Sequence, residues 1–103
     1  MKGMNDLLRQ AQIMQNKIMQ ARDDAGTRTV EASSGGGMVR VVCNGKQEIL
    51  SISIAKEAVN PDDVEMLQDL VLTAVNEALR QARDLMEREM DAITGGMKLP
   101  GMF

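Results

Sequence analysis

Apolar residues recur every three or four positions along the first quarter of the chain, from Met4 to Ala25. This spacing predicts an α-helix with a heptad-like seam, so that one face of the helix meets another helix. The seam consists of Met4, Leu7, Ala11, Met14, Ile18, Ala21 and Ala25. Gly26 follows directly and favours the end of the helix there.

A second and longer helical pattern extends from Pro61 to Ile93, with no glycine or further proline before Gly95. Asn60 suits the N-cap, and Pro61 suits the first helical position. Such a helix would be roughly 50 Å long, whereas a compact domain of this size has a radius of gyration of about 13 Å. We therefore expect Val64–Ala78 to pack on a sheet and on the first helix, and Leu79–Ile93 to project as part of an arm. The first helix or a second copy of the chain must cover its apolar stripe.

Between the two helices, the pattern changes to short segments rich in β-branched residues, which predict three antiparallel strands. These segments are Thr27–Ser33, Met38–Cys43 and Gln47–Ile54. Gly35, Gly36 and Gly37 form a pliable connection between the first two strands; without the Lys-Ser/Thr of a P-loop they do not predict a phosphate cradle.

Asn44 and Gly45 separate the second and third strands, and an Asn-Gly pair in this position predicts a hairpin with a type I′ turn. In that register Val39 lies opposite Leu50. The expected core face then consists of Val39, Val41, Cys43, Leu50, Ile52 and Ile54. The fold class is therefore α+β, with a single domain over residues 1–93 and a flexible Gly/Met/Pro tail over residues 94–103.

Composition excludes most catalytic chemistry. The chain has no histidine and a single cysteine, Cys43, so it cannot form a Ser-His-Asp triad, a Cys-His pair, a disulfide framework or a thiolate metal cluster. Cys43 lies on the expected core face, where a buried thiol is inert. No apolar run approaches the roughly 20 residues that span a bilayer. We expect a cytosolic protein that is not an enzyme and has no metal, cofactor, small-molecule substrate or membrane partner.

Charge is distributed unevenly. The whole chain has a net charge of −3, yet residues 1–22 carry four cations against Asp6 alone, whereas residues 61–93 carry three arginines against nine acids. The first helix is therefore mildly basic and the long helix acidic. The overall balance disfavours a simple nucleic-acid binder, because phosphate binding favours basic patches.

The order of motifs along the chain nevertheless resembles the YbaB/EbfC family of bacterial nucleoid-associated proteins. The motifs are Leu8-Arg9-Gln10-Ala11-Gln12-Ile13-Met14-Gln15, Gly35-Gly36-Gly37-Met38-Val39-Arg40-Val41, Asn44-Gly45-Lys46, Ser53-Ile54, Asp63–Val71, Asn76–Ala82 and a Gly/Met/Pro tail ending in Phe103. Lys56-Glu57-Ala58 and Gln68 depart from the family pattern, in which a proline usually comes soon after the third strand and an acid is common in place of the glutamine.

The resemblance implies a homodimer with joined sheets and paired helical arms. It also implies DNA binding in the nucleoid, with roles in nucleoid organisation and gene regulation, and it brings no catalytic residue or cofactor. On this hypothesis the partner is duplex DNA, since the chain offers no aromatic platform for single strands, and the few cations predict weak, salt-sensitive, weakly sequence-specific binding. The candidate contacts are Lys2, Arg9, Lys17, Arg22, Arg80, Arg83 and Arg88. The alternative is a cytosolic adaptor that binds a protein through the acidic projecting helix.

Overall fold

The computed structural model describes residues 2–95, with the side chain of Lys2 excepted. The elements are α1 (Lys2–Thr27), β1 (Thr29–Ser34), β2 (Val39–Asn44), β3 (Ile49–Ile54) and α2 (Val64–Thr94). Single 3₁₀ turns at Gly35–Gly37 and Lys56–Ala58 precede β2 and α2. The strands form one antiparallel sheet in the order β1-β2-β3, which confirms the predicted α+β class. Residues 96–103, most of the predicted tail, lie outside the described residues.

The core lies between α2 and two of the three strands. Ala74, Ala78 and Ala82 form a fully buried stripe on α2, where small side chains let the helix approach the sheet closely. They pack with Val39 and Val41 of β2, which are also fully buried, as the predicted core face requires. This packing fixes α2 over β1 and β2.

The hairpin between β2 and β3 is longer than the sequence predicted. Val39 pairs with Ile54 rather than with Leu50, and a bulge beside Cys43 leaves Leu50 as the extra residue on β3. A type I′ turn requires positive φ at Asn44 and Gly45, but neither has it. The predicted two-residue turn and its register are therefore wrong.

The side chain of Asn44 explains the longer loop. Its carbonyl oxygen accepts hydrogen bonds from the backbone N–H groups of Lys46 (2.9 Å) and Glu48 (3.0 Å), and its amide donates to the carboxylate of Glu48 (2.9 Å). An asparagine that bonds the backbone two and four residues ahead organises a wider loop than the two-residue turn. In this loop Gln47 adopts the left-handed conformation, with φ of 64°.

Gly45 joins the loop to the end of α1. Its N–H donates to the carbonyl oxygens of Ala25 (3.0 Å) and Arg28 (3.2 Å), so the loop caps carbonyls at the end of the helix. A Cβ atom at this position would overlap the carbonyl of Ala25, lying 2.8 Å from its carbon. Only glycine allows the two backbones to approach this closely.

Replacing Gly45 by alanine should therefore lower the free energy of unfolding by roughly 1–3 kcal/mol, the usual penalty for overpacking. The measurement is the midpoint of urea denaturation. Gly3→Ala is the matched control, because a Cβ there meets nothing within 4 Å and should leave the midpoint unchanged or slightly raised. Equal midpoints for Gly45→Ala and the unsubstituted protein would show that the loop and helix do not pack in this way.

The start of α2 also differs from the prediction. Asp63, rather than Asn60, is the N-cap, and its carboxylate accepts the N–H of Met66 at 3.2 Å. The side chain of Asn60 accepts the N–H of Asp62 instead, which closes a turn ahead of the helix. Pro61 therefore belongs to that turn and not to the first turn of the helix.

The two helices form an arm, and the molecule measures 73 × 22 × 16 Å. The second half of α1 runs antiparallel to the second half of α2, where Ile18 and Ala21 pack against Met90. The contact with α1 is therefore made by the projecting half of α2, whereas the sequence predicts it for the first half of α2. Toward the start of α1, Met4 and Leu7 remain 61% and 67% exposed, so nothing in the described chain covers that part of the seam.

Candidate nucleic-acid interface

A cleft of about 260 Å³ opens between α1, α2 and the β2–β3 loop. Its lining residues are Ile18, Arg22, Gln47, Arg83, Met86, Glu87 and Met90. Three of these side chains are apolar and belong to the seam between the helices, and the others are polar or charged. The cleft therefore has an apolar floor and a polar rim that contains two arginines.

The helical repeat places both arginines at the edge of the seam. Arg22 follows Ile18 by four residues on α1, and Arg83 precedes Met86 by three residues on α2, so each lies next to an apolar floor residue on its own helix. Both are exposed. Arginine buries its stem on apolar surface and keeps its guanidinium in water, so this position leaves both charges at the rim.

The two rim arginines are free of ion pairs within residues 3–95. Glu87, one helical turn beyond Arg83, contributes an acid to the same cleft, so its lining carries a net charge of +1. Guanidinium groups match phosphate geometry and remain charged at all relevant pH values. The cleft can therefore accept an anionic group between two helices of an otherwise acidic protein.

The remaining cations predicted on α1 lie elsewhere. Lys17 lines grooves on the opposite flank of the seam, together with Asp24 and Glu89. Arg9 lies nearer the start of α1. Its side chain is 73% exposed and donates to Asp6 at 2.9 Å. Lys2 lies at the helix start, and its side chain is outside the described part of the chain. Arg9, Lys17 and Arg22 thus do not form one patch.

On α2, Arg80 is held by two acids. It donates to Glu77 at 2.6 Å and to Asp84 at 2.8 Å, and both ion pairs lie on a solvent-exposed face of the helix. The hydrogen bond from Arg80 lowers the pKa of Glu77 to about 2, and the same contact raises the pKa of Arg80. Arg88 donates to the backbone carbonyl of Asp84 at 3.3 Å. Of the three predicted arginines on this helix, Arg83 alone lines the cleft.

The Glu77 carboxyl gives a direct test of this pairing. Its folded pKa lies below its ordinary 4.5, so the pair should stabilise the fold above about pH 4.5 and lose that contribution as pH falls toward 2. A carbon-detected NMR titration should place its midpoint near 2. In Arg80→Gln the midpoint should return most of the way to 4.5, and an unchanged midpoint would contradict the pairing.

Sequence reasoning missed the contribution of the β2–β3 loop. Gln47 lines the cleft with the two arginines. The two-residue turn predicted at Asn44 and Gly45 instead placed Gln47 in the third strand. Sequence reasoning also missed that Arg28, just before β1, pairs with Glu89 of α2 and so fixes the base of the arm. Only the length of the polar run Asn44–Glu48 could have indicated a wider loop.

Residues 3–95 contain no cluster of three or more acids, cysteines or histidines that could hold a metal ion. None of the described helices is long and apolar enough to cross a bilayer. Cys43 is buried, as predicted, and burial raises the pKa of its thiol.

Comparison with known proteins identifies the family. A sequence model described as the YbaB/EbfC DNA-binding family matches residues 1–97. A protein of Desulforamulus reducens named nucleoid-associated protein is 54% identical over 98% of this chain and 96% of its own length. One of Ruminiclostridium cellulolyticum, with the same name, is 55% identical over 98% of this chain and 89% of its own.

A solved structure supports the fold. The crystal structure of the uncharacterized protein HP0035 from Helicobacter pylori matches with a TM-score of 0.65, over 76% of this chain and 90% of that chain. At 23% identity this likeness shows the shared architecture alone. The family match and the two relatives cover nearly the whole chain, and the chain belongs to the YbaB/EbfC DNA-binding family.

Proposed function

We propose that this protein binds duplex DNA as a homodimer in the bacterial nucleoid, with weak sequence specificity, and so contributes to nucleoid organisation and gene regulation. The observation that carries the proposal is the cleft in which Arg22 and Arg83, two arginines without an ion-pair partner in residues 3–95, line one opening. Family membership and the names of the relatives support DNA as the partner.

Charge pairing decides which cations contact phosphate. Arg9 and Arg80 are each held by carboxylates on their own helix, and a phosphate would have to compete with those acids. Arg22 and Arg83 require no such exchange. Hydrogen bonds from a charged donor are also the strong ones, so two guanidiniums on one phosphate supply both affinity and orientation. We therefore place the principal phosphate contact at the cleft, with Lys17, Lys2 and Arg88 as outer contacts.

Homodimerisation is supported by an uncovered part of the core face. Ile52 and Ile54 lie opposite Val41 and Val39, so they point to the side of the sheet that α2 covers. Yet Ile52 is 47% and Ile54 is 41% exposed, because α2 packs on β1 and β2. A second copy packed against β3 would join the two sheets and bury these side chains.

A groove on α2 is a second uncovered apolar surface. It encloses about 440 Å³ and is lined by Leu67, Gln68, Val71, Leu72 and Val75. Leu72 is 60% exposed, and exposed apolar side chains that line one groove mark an interaction surface. In the proposed dimer, the partner covers this groove together with β3.

The dimer gives two clefts for one duplex, which doubles the number of phosphate contacts without changing the acidic net charge of each chain. So few contacts predict weak binding whose affinity falls as salt rises, with a slope set by the number of phosphates contacted. This pattern suits a protein that binds many sites along a chromosome rather than a single operator.

The test is fluorescence anisotropy of a labelled 20-base-pair duplex at 50 to 300 mM NaCl. We expect measurable binding at the lowest salt and a linear fall of log affinity with log salt, by roughly 0.9 units for each phosphate contact. Single-stranded DNA of the same length should bind more weakly, since no aromatic residue lies within residues 2–95 for base stacking. The proposal would be overturned if no binding were detected at 50 mM NaCl or if the affinity for duplex did not change with salt concentration. Capture of a protein partner from nuclease-treated lysate would then favour the adaptor function.

A further inference from the structure

We propose that Gln47, in the β2–β3 loop, reads a base edge in the duplex whose phosphate is held by Arg22 and Arg83. This inference rests on the proposed function, because it assigns a sequence-reading residue to the same cleft. Gln47 lines the cleft with the two arginines and is exposed. A duplex phosphate between the guanidiniums therefore brings the adjoining groove next to this side chain.

The backbone of Gln47 is the first reason to assign it a function. It is the one residue other than glycine with positive φ, at 64°, within residues 2–95. Glycine adopts this conformation without steric cost, whereas a side chain with a Cβ atom does so at some expense of stability. Backbone conformations of this kind cluster at ligand-binding sites, so a glutamine at a position that favours glycine supports a binding role for its side chain.

The second reason is that the loop holds Gln47 rigidly. Its N–H donates to the carbonyl oxygen of Asn44 at 3.0 Å, and the Asn44 side chain binds the backbone N–H groups on both sides of it, at Lys46 and Glu48. Gly45 fastens the same loop to the end of α1. A side chain on a loop tied to α1 keeps its position relative to Arg22, which is what discrimination between bases requires.

The chemistry of the side chain indicates what it reads. Phosphate offers only acceptors, which arginine and lysine satisfy better than a neutral amide. A carboxamide presents a donor and an acceptor side by side, and this pattern matches the N6 and N7 edge of adenine in the major groove. Arg22 and Arg83 would thus position the duplex, and Gln47 would distinguish adenine from the other bases at one position in each half-site.

The experiment is selection from a random duplex library at low salt, with the full chain and with Gln47→Gly. The unsubstituted protein should enrich sites with adenine at one fixed position, in two copies related by the two-fold axis of the dimer. Gln47→Gly should lose that preference, a change of roughly 5- to 150-fold in discrimination for a bidentate contact, and should bind the selected site more weakly by the same factor. Its denaturation midpoint should be equal or higher, because glycine relieves the positive φ. A purely structural role for the side chain predicts the opposite change in stability and no change in selected sites.

Each outcome distinguishes the proposals. If the unsubstituted protein binds duplex but enriches no sequence, or if Gln47→Gly enriches the same sites, the assignment of Gln47 is wrong and DNA binding by the cleft stands. If the unsubstituted protein binds no duplex at 50 mM NaCl, the proposed function itself fails. A Gln47→Glu variant sharpens the test, since a carboxylate accepts from cytosine N4 and should move the preference from adenine to cytosine.

Discussion

Replacing both Arg22 and Arg83 by alanine should weaken duplex binding by at least about tenfold at 100 mM salt. A hydrogen bond to a charged group contributes roughly 1.5–3 kcal/mol, and the proposed homodimer would lose two such donors from each cleft. The slope of log affinity against log salt should become shallower by roughly 0.9 for each lost phosphate contact. Both side chains are exposed, so the thermal midpoint should change little.

The matched control is the double variant Arg9→Ala, Arg40→Ala. These arginines are also exposed, at 73% and 59%, but each donates to an acid, Asp6 and Glu31 respectively. Removing them changes the net charge of the protein by the same amount and should reduce affinity by about threefold or less, since exposed ion-paired charges contribute little. Equal losses in the two double variants would mean that net charge, and not the cleft, determines binding.

Replacing Ile52 and Ile54 by aspartate should convert the proposed homodimer to a monomer. In the single chain these side chains are already 47% and 41% exposed, so charges there cost the isolated fold little. In a dimer joined at β3 they would bury four carboxylates without partners, a cost of several kcal/mol. Light scattering after gel filtration should give the chain mass of 11.3 kDa for the variant and twice that mass for the unsubstituted protein.

Ser51 and Ser53 provide the control for this experiment. They alternate with the two isoleucines on the same strand and therefore point to the opposite face of the sheet. Aspartates at both serines should leave the dimer intact. The account of the interface would be wrong if the serine variant were monomeric or if the isoleucine variant remained dimeric.

Much of the fold could be predicted from local pattern. The 3-4 spacing in α1 and the glycine-free run of α2 predict two long helices, whose observed bounds differ from the predictions by a few residues. The tertiary arrangement was harder to predict. The apolar spacing is the same in both halves of α1 and of α2, so it does not indicate which halves pack together. The packing of Ile18 against Met90 identifies the halves that form the arm.

The hairpin shows where local reasoning fails. Asn44-Gly45 predicts a two-residue turn by propensity, yet the side-chain bonds of Asn44 and the contact of Gly45 with α1 favour a wider loop. The contact of Gly45 with α1 joins residues that are far apart in the sequence, so no local sequence pattern indicates it. For the same reason, the sequence could identify Arg22 and Arg83 as cations but could not bring them together or place Gln47 beside them.

The most direct test of the central claim, that the α1–α2 cleft binds duplex DNA, is NMR of the arginine Nε–Hε groups during titration with a 20-base-pair duplex. We expect the signals of Arg22 and Arg83 to shift first and furthest, while those of Arg9 and Arg40 change little. Large shifts at Arg9 and Arg40, with Arg22 and Arg83 unmoved at saturation, would contradict the claim.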